Sequence, residues 1–180
     1  MDYESNLSVL EVADPDFFKD LVPIQFETKI EPFKAVSILQ LDNSGSIQNS
    51  KGRLTGIDME NYPMGYTELP YLHVNSNEKL DGNGELILDK DKAVGVLYRF
   101  AASKNSGKAI PSFVINTFIK QKFEKTKGTV FPFKGFRFRP IPDESTKEYF
   151  GLDKKTDGVL VAEVVPYSSA DNYLQLNDII

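Results

Sequence analysis

Residues 158–180, GVLVAEVVPYSSADNYLQLNDII, are the stretch on which the reading of this chain turns. Asp157 and Gly158 supply a turn, and residues 159–165 then form a nearly unbroken apolar, β-branched run. A strand with one wet face alternates apolar and polar side chains, so an unbroken run predicts a strand covered on both faces. Pro166 ends it, because proline has no N–H to give to a ladder. Small or polar residues follow at 167–171, then the apolar pair Leu174 and Leu176, and Asp178-Ile179-Ile180 opens a second strand.

Working outward, the next segment with a clear period is 112–125. Val114, Ile115, Phe118, Ile119 and Phe123 recur at the spacing of one helix face, while Asn116, Lys120, Gln121 and Glu124 take the other. Ile110-Pro111-Ser112 opens this helix, and Lys125-Thr126-Lys127-Gly128 closes it with basic residues and a glycine stop. Before it the chain reads as short strands: residues 6–12 (NLSVLEV), 35–41 (AVSILQL), 52–59, 71–74, 85–88 and 93–100 (AVGVLYRF). Asp14-Pro15-Asp16 breaks the first of these, and Phe17, Phe18, Leu21 and Val22 form an apolar cluster on a short turn or helix. Asp81-Gly82-Asn83-Gly84 and Asp89-Lys90-Asp91-Lys92 are the tight turns of a meander, and residues 101–108 are a polar loop. Short strands at this density predict a β-barrel or sandwich, with a second β-rich unit beginning at Val130.

Composition narrows the function. A chain of 180 residues has room for one or two domains with a real core, and 41% hydrophobic with 26% charged content is that of a folded protein. The net charge of -5 argues against a general nucleic-acid binder. No apolar run approaches the roughly 20 residues that cross a bilayer, and the opening MDYE has neither the basic end nor the apolar centre of a signal peptide. With no cysteine there is no disulfide, thiolate metal site or cysteine nucleophile.

The order of strand, Val-x-Pro, small residues and Leu-x-x-x-Asp-Ile-Ile resembles the middle of a PDZ domain of the HtrA/Deg serine proteases. Ala93-Val94-Gly95-Val96, Ala109-Ile110-Pro111-Ser112 and Phe131-Pro132-Phe133-Lys134-Gly135-Phe136 are similar to that family's junction between protease and PDZ domains, closest to the Deg subgroup with a Phe-Pro-x-x-Gly entry. The resemblance covers nearly the whole chain, more closely over 93–180 than over 5–92. It implies an all-β fold with a linking helix: a second trypsin-like β-barrel at 1–110, a linking helix at 111–127 and an incomplete PDZ domain at 128–180. It also implies that the family's first barrel and the helix walling the peptide groove are missing, as if the sequence were truncated at both ends.

The same resemblance implies a degenerate catalytic triad. The family's aspartate precedes a strand matched by Leu7-Ser8-Val9-Leu10, where this chain has Asn6. Its Gly-Asn-Ser-Gly-Gly-Pro motif falls on Leu80-Asp81-Gly82-Asn83-Gly84-Glu85, so Gly82 or Asn83 stands at the serine position. The histidine would lie upstream of Asn6. The expectation is therefore no catalytic residue and no cofactor. His73, the sole histidine, has no nucleophile to serve and reads as a structural or surface residue.

Three further stretches carry alternatives. Residues 81–85 begin like a calcium loop, but Leu86 and Lys92 stand where glycine and glutamate belong, which favours a turn. Lys104-Asn105-Ser106-Gly107-Lys108 ends like a phosphate loop without the first glycine or a hydroxyl residue after the lysine, which favours a solvated loop. Lys134-Gly135-Phe136-Arg137-Phe138-Arg139 reads as a plain core strand, as an RNA-stacking strand with Arg137 where a small residue belongs, or as the peptide-pairing edge that the resemblance implies. In that last reading Phe133, Lys134, Gly135, Phe136, Arg137 and Phe138 bind peptide or unfolded-protein C-termini. The implied function is a pseudoprotease that binds peptide segments or protein partners through a PDZ domain, with a second copy of the chain or an active protease as partner; the alternative is a fragment of an active HtrA/Deg serine endopeptidase involved in protein quality control. The implied compartment is the periplasm, the cell envelope or a eukaryotic organelle.

Overall fold

The computed structural model describes residues 2–42, 44–65, 67–124, 131, 133–141 and 143–180. The chain divides into two units, residues 1–131 and 132–180.

The first unit is built from β1 (Gln25–Phe26), β2 (Ala35–Leu41), β3 (Ile47–Asn61), β4 (Glu68–Asn75), β5 (Leu86–Asp89), β6 (Lys92–Ala101), β7 (Ser106–Pro111) and α1 (Ser112–Glu124). The strands pair in the order β6-β5-β2-β3-β4-β7, and β7 pairs again with β6, so the six strands return on themselves as a ring; β1 adds to β6 in parallel. Closure removes the open edges that make a sheet prone to self-association. Alternation places one set of side chains inside: Val36, Ile38, Leu54, Leu72, Val74, Ile87, Leu97 and Ala109 form one buried cluster. Each fully buried aliphatic side chain contributes about 1.5–3 kcal/mol.

The helix face read from the sequence is real at its N-terminal end. Val114, Ile115 and Phe118 pack with Tyr62, Leu69, Tyr71 and Ile110, with Ile119 partly buried against them. Phe123, placed on the same face by its spacing, is 68% exposed. The Lys125-Thr126-Lys127-Gly128 stop and Val130 lie outside the described residues.

Two readings are corrected. Residues 6–12 form no strand beyond an isolated bridge between Asp2 and Leu7, and Leu10 is 88% exposed. A strand needs a partner edge for its N–H and C=O groups, and among the described residues this segment pairs with no strand of the ring. Phe17, Phe18, Leu21 and Val22 are all exposed, with Phe17 and Phe18 in turns and their rings edge-on at 4.9 Å. Residues 101–108 are not a loop: a short 3-10 turn at Ala102–Lys104 leads directly into β7. The polar composition of 101–108 hides the start of this strand because its inward residue there is Gly107, which a hydrophobic pattern does not register. Gly107 is required there, since a Cβ would lie 2.8 Å from Leu97 Cδ1 and 2.9 Å from the Arg99 carbonyl oxygen.

The second unit holds β8 (Phe136–Pro140), α2 (Glu144–Tyr149) and β9 (Val159–Val164). β8 and β9 pair antiparallel, with a bulge between Arg137 and Phe138. Residues 177–180 return along the other side of β9: Val159 N–H donates to the Ile180 carbonyl at 2.8 Å and Asn177 N–H to the Val161 carbonyl at 2.9 Å. The expectation of a strand covered on both faces fails in part. Leu160 and Val161 are buried, but Ala162 and Glu163 are exposed. The sequence reading did not place α2, whose first turn is capped by the Asp143 carboxylate accepting from Thr146 N–H at 2.7 Å.

Candidate functional site

The segment before β5 is organised by one buried carboxylate. Glu85 Oε1 accepts N–H groups from Asp81 and Gly82, and its Oε2 accepts that of Asn83, each at 2.7 Å. Glu85 is only 6% exposed. A carboxylate withdrawn from water is costly unless hydrogen-bonded, and three charge-assisted bonds from successive amides meet that cost. Successive N–H groups converging in a turn make a concavity for anions, and here the anion comes from the chain itself.

The glycines make this turn possible. Gly82 sits at φ +75°, and a Cβ there would lie 2.8 Å from the Arg99 carbonyl carbon and 3.0 Å from its Cα. Gly84 N–H donates to the Leu97 carbonyl and Leu97 N–H to the Glu85 carbonyl, both at 2.8 Å, which stitches the turn to β6. The turn reading of residues 81–85 therefore fits, and Glu85 occupies the amides from within. Among the described residues no group of acidic or histidine side chains is arranged to hold a metal ion.

The other positions singled out from the sequence are separate from this turn. Asn6, at φ +56°, lies exposed in a surface turn closed by the Asp2 and Leu7 backbones. His73 is on β4, its ring edge-on to Tyr71 at 4.7 Å and its Nε2 3.9 Å from Asp58 Oδ2. No hydrogen bond or ion pair joins Asn6, His73 and Gly82 among the described residues. Beside β4 the Glu60 carboxylate accepts from both the Tyr98 hydroxyl and the Lys108 ammonium. Burial first, and then the neighbouring Glu60, push the Tyr98 hydroxyl far above its ordinary pKa, so it stays protonated.

In the second unit, Phe133 to Phe138 surround a tight turn at Gly135, φ +79°. The Gly135 carbonyl accepts from Val165 N–H at 2.8 Å and from Ser168 Oγ at 3.1 Å. Phe136 and Phe138 stack obliquely with centroids 6.1 Å apart, and Lys134 Nζ lies 4.9 Å above the Phe138 ring. Phe133 and Phe138 are 43% and 47% exposed. Arg137 faces Glu163, its cross-strand partner, at 3.5 Å, so its charge is already partly answered. Beyond its ladder with β9, β8 has no second strand partner among the described residues. Gly135→Val should cost the second unit roughly 2–4 kcal/mol, from a β-branched residue in the left-handed region plus overpacking, because a Cβ would come within 2.6 Å of Ser168 Cβ. Hydrogen exchange should then accelerate in β9 while protection in β2 to β4 is unchanged; equal loss in both would contradict it.

Glu85 was missed by sequence reasoning. One signal was available: it stands where the Gly-Asn-Ser-Gly-Gly-Pro motif has proline, directly after a glycine-rich turn with free amides.

No family model matches the chain. It is 26% identical over 180 residues to the putative protease Do-like 12, mitochondrial, of Arabidopsis thaliana, covering 99% of this chain and 36% of that protein. It is 24% identical over 182 residues to protease Do-like 2, chloroplastic, of the same plant, covering 98% and 30%. Against the serine protease DegP homolog of Plasmodium falciparum it is 22% identical over 172 residues, covering 90% and 20%. The chain thus spans about a third of the length of the first curated relatives it matches, 36% and 35%. Among solved structures, the HtrA-type protease AlgW with a decapeptide superposes with a TM-score of 0.64 at 16% identity, covering 87% of this chain and 50% of that one. The same protease with a tripeptide gives 0.63 at 14% identity, covering 89% and 55%. These likenesses place the ring of strands in the trypsin-like fold of that group, in agreement with the all-β reading of the sequence. Relatives of one kind match along nearly its whole length, so over its 180 residues the chain is similar to the Do-like and HtrA-type proteases.

Proposed function

We propose that this chain is a non-catalytic HtrA/Deg protein that holds peptide segments or protein partners without cutting them, through the free edge of β8 in a PDZ-like unit. The observation that carries this reading is the filled turn at 81–83. A serine hydrolase needs a hydroxyl nucleophile and backbone N–H groups aimed at the developing oxyanion. At the matching turn position 82 has no side chain, and the amides of Asp81, Gly82 and Asn83 are spent on Glu85.

Two observations support the peptide half. An unpaired strand edge offers main-chain hydrogen bonds to an added strand, with exposed Phe133 and Phe138 beside it for an apolar side chain. The AlgW structures that resemble this fold carry a decapeptide and a tripeptide. Lys134 and Arg137 contribute modestly to a terminal carboxylate, being engaged with Phe138 and Glu163 respectively.

Fluorescence anisotropy with a peptide ending in an apolar residue tests the proposal. Weak, saturable binding that falls when the terminus is amidated is expected. Single-stranded RNA binding that Phe136→Ala removes, with no response to peptide, would replace it with the base-stacking reading. A fragment of an active HtrA/Deg endopeptidase is the second reading, favoured by the short span of relatives that the chain covers. Covalent phosphonate labelling of the full gene product would decide for it.

A further inference from the structure

The segment Lys104-Asn105-Ser106-Gly107-Lys108, which reads in sequence as a solvated loop, is the β6–β7 connection and the start of β7. Register places His73 of β4 opposite Lys108, and Lys108 opposite Arg99 of β6. Cross-strand partners share a face, so three basic side chains stand in a row across three strands. Like groups set opposite each other destabilise a sheet once charged, and this row belongs to a chain of net charge -5. It is therefore a local concentration rather than a reflection of overall charge.

The row borders a concavity of about 270 Å³ lined by His73, Arg99, Lys104, Ser106 and Lys108, with no acidic residue in its lining. Acidic groups do hold two of the bases from outside it. Lys108 pairs with Glu60 and lies 4.5 Å above the Tyr71 ring, while His73 faces Asp58 at 3.9 Å. Arg99 and Lys104 have no ion pair among the described residues. The floor is rigid because Gly107 brings β6 and β7 too close for a side chain.

We propose that this concavity binds the phosphate group of a small molecule. The Arg99 guanidinium can present parallel N–H donors to two oxygens, Lys104 and the anchored Lys108 add charge, and Ser106 adds a hydroxyl donor. This donor set suits a multiply charged tetrahedral oxyanion better than a single carboxylate. It is not a glycine-rich phosphate loop, since a strand rather than a helix N-terminus follows the lysine.

Titration of the whole chain with pyrophosphate, followed by backbone amide shifts, tests this. Saturable shifts concentrated in residues 99–108 are expected, absent with potassium chloride at matched ionic strength. Arg99 and Lys104 are exposed, so the double variant Arg99→Ala/Lys104→Ala should fold and should bind about tenfold or more weakly. An equal response to chloride, or unchanged affinity in that variant, would overturn the site. Tighter binding of a phosphoserine peptide than of pyrophosphate would overturn the small-molecule source.

Discussion

Gly82→Ser is expected to lower the stability of the first unit by roughly 2–5 kcal/mol and to create no reactivity toward a serine-directed phosphonate. Two costs add. A residue with a Cβ is strained at the left-handed φ of +75°, and the Cβ would press on the Arg99 backbone at 2.8 and 3.0 Å. Backbone atoms of a paired strand cannot rotate aside as a side-chain tip can. The added hydroxyl would also find no histidine base, since His73 lies with Tyr71 and Asp58, and the Glu85 carboxylate is already held by three amides. Thermal unfolding and intact-mass analysis after phosphonate treatment read both parts. A stable, labelled variant would show that the turn is a catalytic loop lacking only its nucleophile.

Glu85→Ala is expected to be at least as damaging, by roughly 2–5 kcal/mol. Leaving a buried donor unsatisfied costs about 1–3 kcal/mol, and three amides lose their acceptor at once, offset in part as the turn opens to water. The loss should be local first: amide exchange at 81–83 accelerates before the core cluster around Ile38 and Leu72 responds. Because the emptied turn is an anion nest, added formate should restore part of the lost melting temperature, whereas chloride at the same ionic strength should restore less. Glu85→Gln, which keeps the shape but surrenders one acceptor oxygen, should fall between the two. If Glu85→Ala melts with the parent protein and its amides stay protected, the carboxylate neither organises the turn nor keeps it permanently filled.

Elements whose signal is local were legible from the chain alone. β2 coincides with the run AVSILQL at 35–41, α1 with the period of Val114, Ile115 and Phe118, and most of the 159–165 run with β9, because side-chain periodicity and turn residues act within a few positions. The order of motifs likewise pointed to the HtrA/Deg fold. The tertiary structure decided what depends on partners distant in sequence. Residues 6–12 have the composition of a strand and make only the Asp2–Leu7 bridge, while the polar stretch 101–108 holds the start of β7, which closes the ring between β4 and β6, because only an available edge turns propensity into a ladder. The three amides on Glu85 and the row of His73, Lys108 and Arg99 are products of backbone geometry and register. Only the place of Glu85 after a glycine-rich turn hints at the first and nothing in the sequence marks the second, since each is set by where the folded backbone brings N–H groups and side chains together.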